Sequence, residues 1–539
     1  MTLRAALISP RLLAPASVAL ASSGLLRLYR PDQLVQIGRA LLRYGLGPGC
    51  GPIAGAALHP DTAGFVDDAG ALTFGQLERR CDALAAALTA TLAPGESIGL
   101  LGRNSAAFYQ VMVAASRSGL DIVYLNTGFS ASQIAELAAH QELSAIVHDA
   151  EFAGLIPDGI RSIAVTGQDG ASIEHLGAGG ERPPGRPRHR SRHVILTSGT
   201  TGRPKGAART GGDASSLVAL ASGLPYRVRE THLIAAPMFH AWGWLNALLT
   251  MLYSSTVVVT AAFDPQRVLA LVERECCHVL VAVPAMLRRI ISLPPEVRRQ
   301  YDTSSLRVVA VSGSSLPPAL AGAFMDDFGE VLYNLYGSTE AGYATVASPA
   351  DLRAAPGTAG RPLPGVDVRV LTASGRRCPR GTPGDIWVGS HDSIGPAPTG
   401  PAPIGTARPA SPRGAGRACV RSGDIGWFDA EGRLFVSGRA DEMIITGGEN
   451  VYPAEIENTL ERHPGVLEAA VTGEPDDEFG QVVVAHLVLR PGASVTSEAL
   501  ASWCRAGLAS FQVPRRYVTH ESLPHNAAGK VLKRGLRDP

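Results

Sequence analysis

The sequence predicts an α/β protein: a large multi-layer N-terminal part built from β-sheets and helices, then a small α+β unit at the C-terminus. Three observations predict it. Short apolar strands ("SIGLLG", "DIVYLN", "SAIVHD") alternate with alanine-rich helical stretches, the pattern of a largely parallel sheet. After "GRADE" (Gly438–Glu442) the texture changes. There "PAEIENTLERH" and "SEALASWCRAGL" read as helices and "VLEAAVTG" and "VVVAHLVL" as strands, a unit of roughly 100 residues. Finally, 539 residues that are 45% apolar and 18% charged suffice for more than one domain and a large core. The expected division is a helical extension over residues 1–50, a large domain over 51–439 and a small one over 440–539.

The extension carries two signals. "RLLAPASVALASSGLLRL" has basic flanks and a small-residue apolar middle, as a secretion signal would. Pro15 and its serines interrupt it, and it is too short for a membrane span. Next, "RPDQLVQIGRALLRYG" reads as a helix begun by Pro31 and ended by Gly45. Leu34, Ile37, Leu41 and Leu42 share one face, with Arg39 and Arg43 a turn apart. Such a helix either docks on the body or lies on a membrane surface. The net charge of +1 argues against nucleic acid as a main partner. Seven scattered cysteines without a CxxC pair point to free thiols in a reducing cytoplasm.

"TSGTTGRPKG" (Thr197–Gly206) follows the apolar strand "HVILT". Gly199 and Gly202 let the backbone turn and expose its N–H groups. Thr197, Ser198, Thr200 and Thr201 add hydroxyls, and Lys205 adds a mobile charge. This is a polyphosphate cradle at the carboxyl edge of a sheet, where ligands bind. It lacks the Walker order, because Pro204 precedes the lysine and Gly206 follows it. Proline also disfavours a helical Arg203, so the loop should not run straight into a helix. "GAGGERPPGRPRHRSR" (Gly177–Arg192) reads as a surface loop. Ser393–Ala418 has no acidic residue and almost no large apolar one, so it builds no core element.

Together with "PMFHAWG" (Pro237–Gly243), "YGSTE" (Tyr336–Glu340), "SGD" (Ser422–Asp424), "GRADEMIITGGENVYPAEIE" (Gly438–Glu457) and "NAAGK" (Asn526–Lys530), the cradle resembles the adenylate-forming (AMP-binding) enzymes. The six motifs fall in that family's order, from about residue 60 to the end. "GGENVYPAEIE" is most similar to bacterial fatty-acid and related acid–CoA ligases. Two departures stand out. Ser314-Ser315 replaces the usual Gly-Ala-Pro continuation, and Ser393–Ala418 lacks the glycine-aromatic strand end that usually precedes "SGD".

The resemblance implies a large ATP- and acid-binding domain and a small mobile domain hinged near Asp441. It also implies ATP, Mg²⁺ and CoA as the reacting molecules. Residues Thr197–Gly202 and Lys205 would hold phosphates. Gly313, Ser314, Tyr336 and Gly337 would hold adenine, Asp424 the ribose hydroxyls, and Arg439 ribose and phosphate. Thr339 would bond a phosphate oxygen, and Glu340 would be the Mg²⁺ ligand, a hard oxygen suited to that ion. Lys530 would sit between the acid's carboxylate and the α-phosphate, and His240 would line the acid side. Gly447 and Gly448 would border a thiol channel. Lys533 and Arg534 read as surface charges, and Trp242 and Trp244 as acyl pocket or plain packing. The implied activity forms acyl-AMP from a medium- to long-chain fatty acid and passes the acyl group to CoA. The alternatives are a carrier-protein acceptor, or a weakened or non-catalytic homologue owing to Ser393–Ala418.

Overall fold

The computed structural model describes residues 23–24, 30–45, 47–165, 173, 185, 187–197, 205–209, 220–338, 342–389, 419–446, 449–476, 478–526 and 529–536. The chain forms two compact units. One comprises Met1–Ala282 with Ser292–Ala310, and the other Val283–Ile291 with Val311–Pro539.

The first unit is the α/β part. One sheet runs Arg161–Ala164, Leu143–His148, Ser97–Leu101, Asp121–Tyr124, His193–Thr197 and Lys205–Arg209. Its first five strands are parallel and the last is antiparallel. Near-continuous Val/Ile/Leu runs suit strands covered on both faces. In a second group, Val279–Ala282, Thr231–Ile234, Thr256–Val259 and Ala63–Asp67 are parallel neighbours, edged by antiparallel Gly70–Thr73. The helix Phe74–Thr91 starts where Thr73 accepts the Gln76 N–H and Gln76 returns the bond, a reciprocal cap. It packs on Ala106–Ser118. There the fully buried Arg117 is neutralised by Glu78 at 2.7 Å and Asp82 at 2.5 Å.

Helix Pro31–Tyr44 forms as the sequence predicts, with Gly45 closing its end. It docks on the body through Ala40 and through a Gln33 bond to the Ala57 carbonyl. The face shared by Leu34, Leu41 and Leu42 stays outside, with Leu42 76% exposed.

The second unit begins with an antiparallel sheet of Asp367–Leu371, Gly384–Gly389, Val420–Phe428, Leu434–Arg439, Thr358–Pro362, Gly342–Ala347 and Leu332–Ser338. Its C-terminal module is the expected α+β arrangement. Val466–Asp476 and Gly480–Leu489 form a long antiparallel pair, and Arg516–Thr519 joins it in parallel. Helices Pro453–Glu461 and Ser497–Gly507 cover a core of Ile456, Leu460, Val471, Val483, Leu487 and Leu500. Arg288, on helix Pro284–Ile291, meets this module. It donates to the Leu467 carbonyl at 2.5 Å and to Glu461 at 2.9 Å. Burial pushes the Glu461 carboxyl up to about 7. Ser393–Ala418 lies outside the described residues.

Candidate active site

In the first unit, the cradle is led by a strand and followed by one. His193–Thr197 and Lys205–Arg209 are an antiparallel hairpin, with Thr197 opposite Lys205 in the register. The loop therefore opens at the carboxyl end of a strand and does not enter a helix. Ser198, Gly199, Thr200, Thr201 and Gly202 lie outside the described residues.

His240 occupies the residue before helix Ala241–Leu252. The loop ahead of it is held by Asn104, which accepts from the Met238 N–H at 2.7 Å and donates to the Ala236 carbonyl at 3.0 Å. Gly243 is required here, since a Cβ would meet the Pro237 oxygen at 2.4 Å. The imidazole Nε2 is buried and has no hydrogen-bond partner among the described residues. A buried imidazole nitrogen of this kind can donate to a carboxylate. Trp242 donates to the Ala282 carbonyl at 3.0 Å and Trp244 to the Tyr124 hydroxyl at 2.9 Å. Both indoles are buried, and their N–H bonds tie them into the packing of this unit.

Burial lowers the His240 pKa to about 4, so the ring is neutral at pH 7. Stability is intact above the unfolded pKa of about 6.5 and falls as pH drops through 4. The loss from this ring is at most about 3 kcal/mol. His240→Gln should flatten the decline in denaturation midpoint between pH 6.5 and 4. An unchanged decline would show that the ring is not buried neutral.

In the second unit a cavity of about 370 Å³ gathers Gly313, Ser314, Tyr336, Gly337, Asp424, Arg439 and Lys530. The Tyr336 hydroxyl donates to Asp424 Oδ2 at 2.5 Å. Antiparallel pairing sets Arg439 directly across from Asp424, with Nη1 3.6 Å from Oδ1. Arg439 also donates to the Ser422 carbonyl at 3.2 Å and to Asp441 at 3.0 Å. Burial raises the Asp424 pKa, and the Tyr336 hydroxyl and Arg439 charge oppose that shift. The cluster is thus a nearly buried carboxylate held in a fixed direction, fitted to accept from vicinal hydroxyls.

Lys530 comes from a tight turn. The Asn526 N–H donates to the Lys530 carbonyl at 2.9 Å, the Asn526 side chain accepts the Lys530 N–H at 2.9 Å, and His525 bridges Val531. Gly529 has φ +74, and a Cβ there would meet the Ala285 Cβ at 2.8 Å. Gly529→Ala should therefore displace the turn and slow pyrophosphate release by about 10-fold. The melting temperature should barely move, because the turn is on the surface. A wild-type rate would show that the turn does not position the lysine.

Lys530 Nζ lies 3.7 Å from Glu442. Glu442 is shared with Lys533, at 3.4 Å, and Lys533 also reaches Glu457 at 2.7 Å. This corrects the surface reading of Lys533. The short turn Lys533–Leu536 carries its side chain inward between two carboxylates, while Arg534 stays exposed. Lys530 and Lys533 are three residues apart with two acids upstream, a signal that spacing alone does not separate from ordinary surface charge. Thr339, Glu340, Gly447 and Gly448 lie outside the described residues. Among the described residues no group of three or more His, Cys, Asp or Glu could cage a metal. Mg²⁺ held on phosphates needs only one or two carboxylates.

A cavity that joins a buried carboxylate, a tyrosine, an arginine and a lysine has the groups an enzyme needs to hold a nucleotide. Residues 54–394 match the family described as AMP-binding enzyme, and residues 455–530 match the AMP-binding enzyme C-terminal domain. The chain belongs to the AMP-binding enzyme family. It is 33% identical to a feruloyl-CoA synthase of Amycolatopsis sp, over 91% of this chain and 98% of the relative. It is 31% identical to the fatty acid–[acyl-carrier-protein] ligase ScoC of Streptomyces coeruleorubidus, over 89% and 94%. Among solved structures it resembles the o-succinylbenzoate CoA synthetase of Bacillus subtilis in complex with its acyl-adenylate. That match has a TM-score of 0.77 and 26% identity, and covers 90% and 98% of the two chains.

Proposed function

We propose that the chain is an AMP-forming acid–CoA ligase acting on an apolar carboxylic acid, with a fatty acid of medium to long chain as the first candidate. One observation carries the reading. Asp424, Tyr336, Arg439 and Lys530, from separate motifs, line a single cavity. Relatives named for CoA and acyl-carrier ligation support it.

The chemistry has two steps. A carboxylate oxygen attacks the α-phosphorus of ATP and the bond to pyrophosphate breaks, giving acyl-AMP. The CoA thiol then gives up its proton, its sulfur attacks the acyl carbon, and AMP leaves. Asp424 orients the ribose, and Arg439 faces the sugar and phosphate. Lys530 places positive charge where charge grows in the first step. Mg²⁺, when bound, neutralises the phosphate oxygens. The small domain begins at about residue 440 and swings about Asp441 between the two steps. The helix behind His240, "AWGWLNALL", has no acidic side chain to meet an α-amine, which favours an apolar acid over an amino acid. All seven cysteines are free, which suits the cytoplasm.

A second acceptor has its own support in the likeness to ScoC. The test is pyrophosphate release across fatty acids of graded length, hydroxycinnamic acids and amino acids, followed by transfer to CoA or to a phosphopantetheinyl carrier. Apolar acids should turn over and CoA should accept the product. Equal turnover with any amino acid, or transfer to the carrier alone, overturns the reading.

A further inference from the structure

Helix Pro31–Tyr44 presents three arcs when its residues are placed about 100° apart. Gln33, Ala40 and Tyr44 turn toward the body. The neighbouring arc is apolar and open, with Leu34 52%, Val35 49%, Leu41 39% and Leu42 76% exposed. Beyond it lie Arg39 and Arg43. Soluble helices bury their apolar arc, so this one is inverted relative to the core it rests on.

The end of the helix meets a second set of cations. Arg190 lies over Gly45, where a Cβ would come within 2.8 Å of its Nη2. Arg43, Tyr44, Arg188, Arg190 and the Ser116 side border a cavity of about 430 Å³ beside Leu41 and Leu42. The nearby charges divide in two. Asp121 neutralises Arg192 at 2.5 Å and hydrogen-bonds His189 at 2.9 Å, and Asp32 neutralises Arg30 at 2.6 Å. Arg39, Arg43, Arg188 and Arg190 have no acidic partner among the described residues, and Arg43 Nε is buried without a hydrogen bond among them. The apolar arc and the unneutralised arginines are therefore adjacent on one surface.

We propose that this surface docks on an anionic lipid bilayer. Leu34, Leu41 and Leu42 enter the boundary of the acyl chains. Arg39, Arg43, Arg188 and Arg190 meet the lipid phosphates, with the cavity taking a headgroup. An outward helix face flanked by guanidinium groups matches a planar, negatively charged partner. A peptide partner would need a groove. Among the described residues no helix is long and apolar enough to cross a membrane.

The test is co-sedimentation of the full chain with phosphatidylcholine vesicles, and with vesicles containing about a third phosphatidylglycerol. Binding should be at least about 10-fold stronger to the anionic vesicles and should weaken in 0.5 M salt, roughly the behaviour of several juxtaposed arginines. The pair Leu34→Asp and Leu42→Asp should lower it by about 10-fold, as should the pair Arg188→Glu and Arg190→Glu. Both sets change exposed side chains, so melting temperature and pyrophosphate release with a water-soluble acid should hold. Removal of residues 1–29 should leave binding in place. Equal binding to both vesicles, wild-type binding by either variant, or loss on that truncation overturns the proposal. So does a dimer in light scattering that Leu42→Asp dissociates, which would make the face a contact between two copies.

Discussion

Lys530→Ala should lose acyl-adenylate formation by about 10²- to 10³-fold, the range for removing one charge aimed at a transition state. The same variant, given synthetic acyl-AMP and CoA, should make thioester at close to the wild-type rate. Only the first step passes through a crowded, highly charged phosphorus, and only there does an ammonium group offset developing charge. The side chain is about half exposed, 48%, and its ion pair among the described residues is a long 3.7 Å contact with Glu442. Truncation therefore removes little packing and should leave the melting temperature unchanged. Pyrophosphate exchange reads the first step and thioester absorbance the second. Equal losses in both would remove the lysine from adenylation chemistry.

Asp424→Ala should raise the KM for ATP and lower kcat/KM for ATP by about 10²-fold, while the KM for the acid moves little. The estimate follows from losing two charge-assisted hydrogen bonds to a diol, each worth about 1.5 kcal/mol or more. The geometry sharpens the expectation. Tyr336 donates to Asp424, and Arg439 sits opposite it with its remaining bonds to Ser422 and Asp441. Asp424→Asn keeps the shape but turns one acceptor into a donor, so it should recover only part of the loss. Titration with ATP at saturating acid measures this directly. An unchanged KM for ATP would assign Asp424 to holding Tyr336 and nothing more.

Much of this was legible in the residues. Alternating apolar runs gave the parallel strands because a strand covered on both faces must be apolar throughout. Pro204 marked the cradle as leading away from a helix, and the hairpin between Thr197 and Lys205 agrees. The grouping of Gly313, Tyr336, Asp424, Arg439 and Lys530 was legible through the resemblance. Spacing alone does not bring residues this far apart in sequence to one cavity. Three features were not legible. Lys533 has the composition of a solvated residue, and only the fold-back of its turn places it between Glu442 and Glu457. The outward apolar arc of Pro31–Tyr44 has the same periodicity as a buried one, because period reports that a face exists and not what covers it. Arg288 carried no motif at all, and its bonds to Leu467 and Glu461 depend wholly on tertiary placement.

Glu442 stands one residue from the proposed swivel, and its N–H is tied to the Arg439 carbonyl at 3.2 Å. Its carboxylate touches Lys530 and Lys533 together. A torsional change at Asp441 would therefore alter the footing of the lysine's counter-ion in the same movement. Under the proposed two-step cycle, the pivot and the charge it carries behave as an interlock. The lysine's setting in the cavity and the rotated pose exclude one another mechanically, so the order of the two reactions needs no separate timing device.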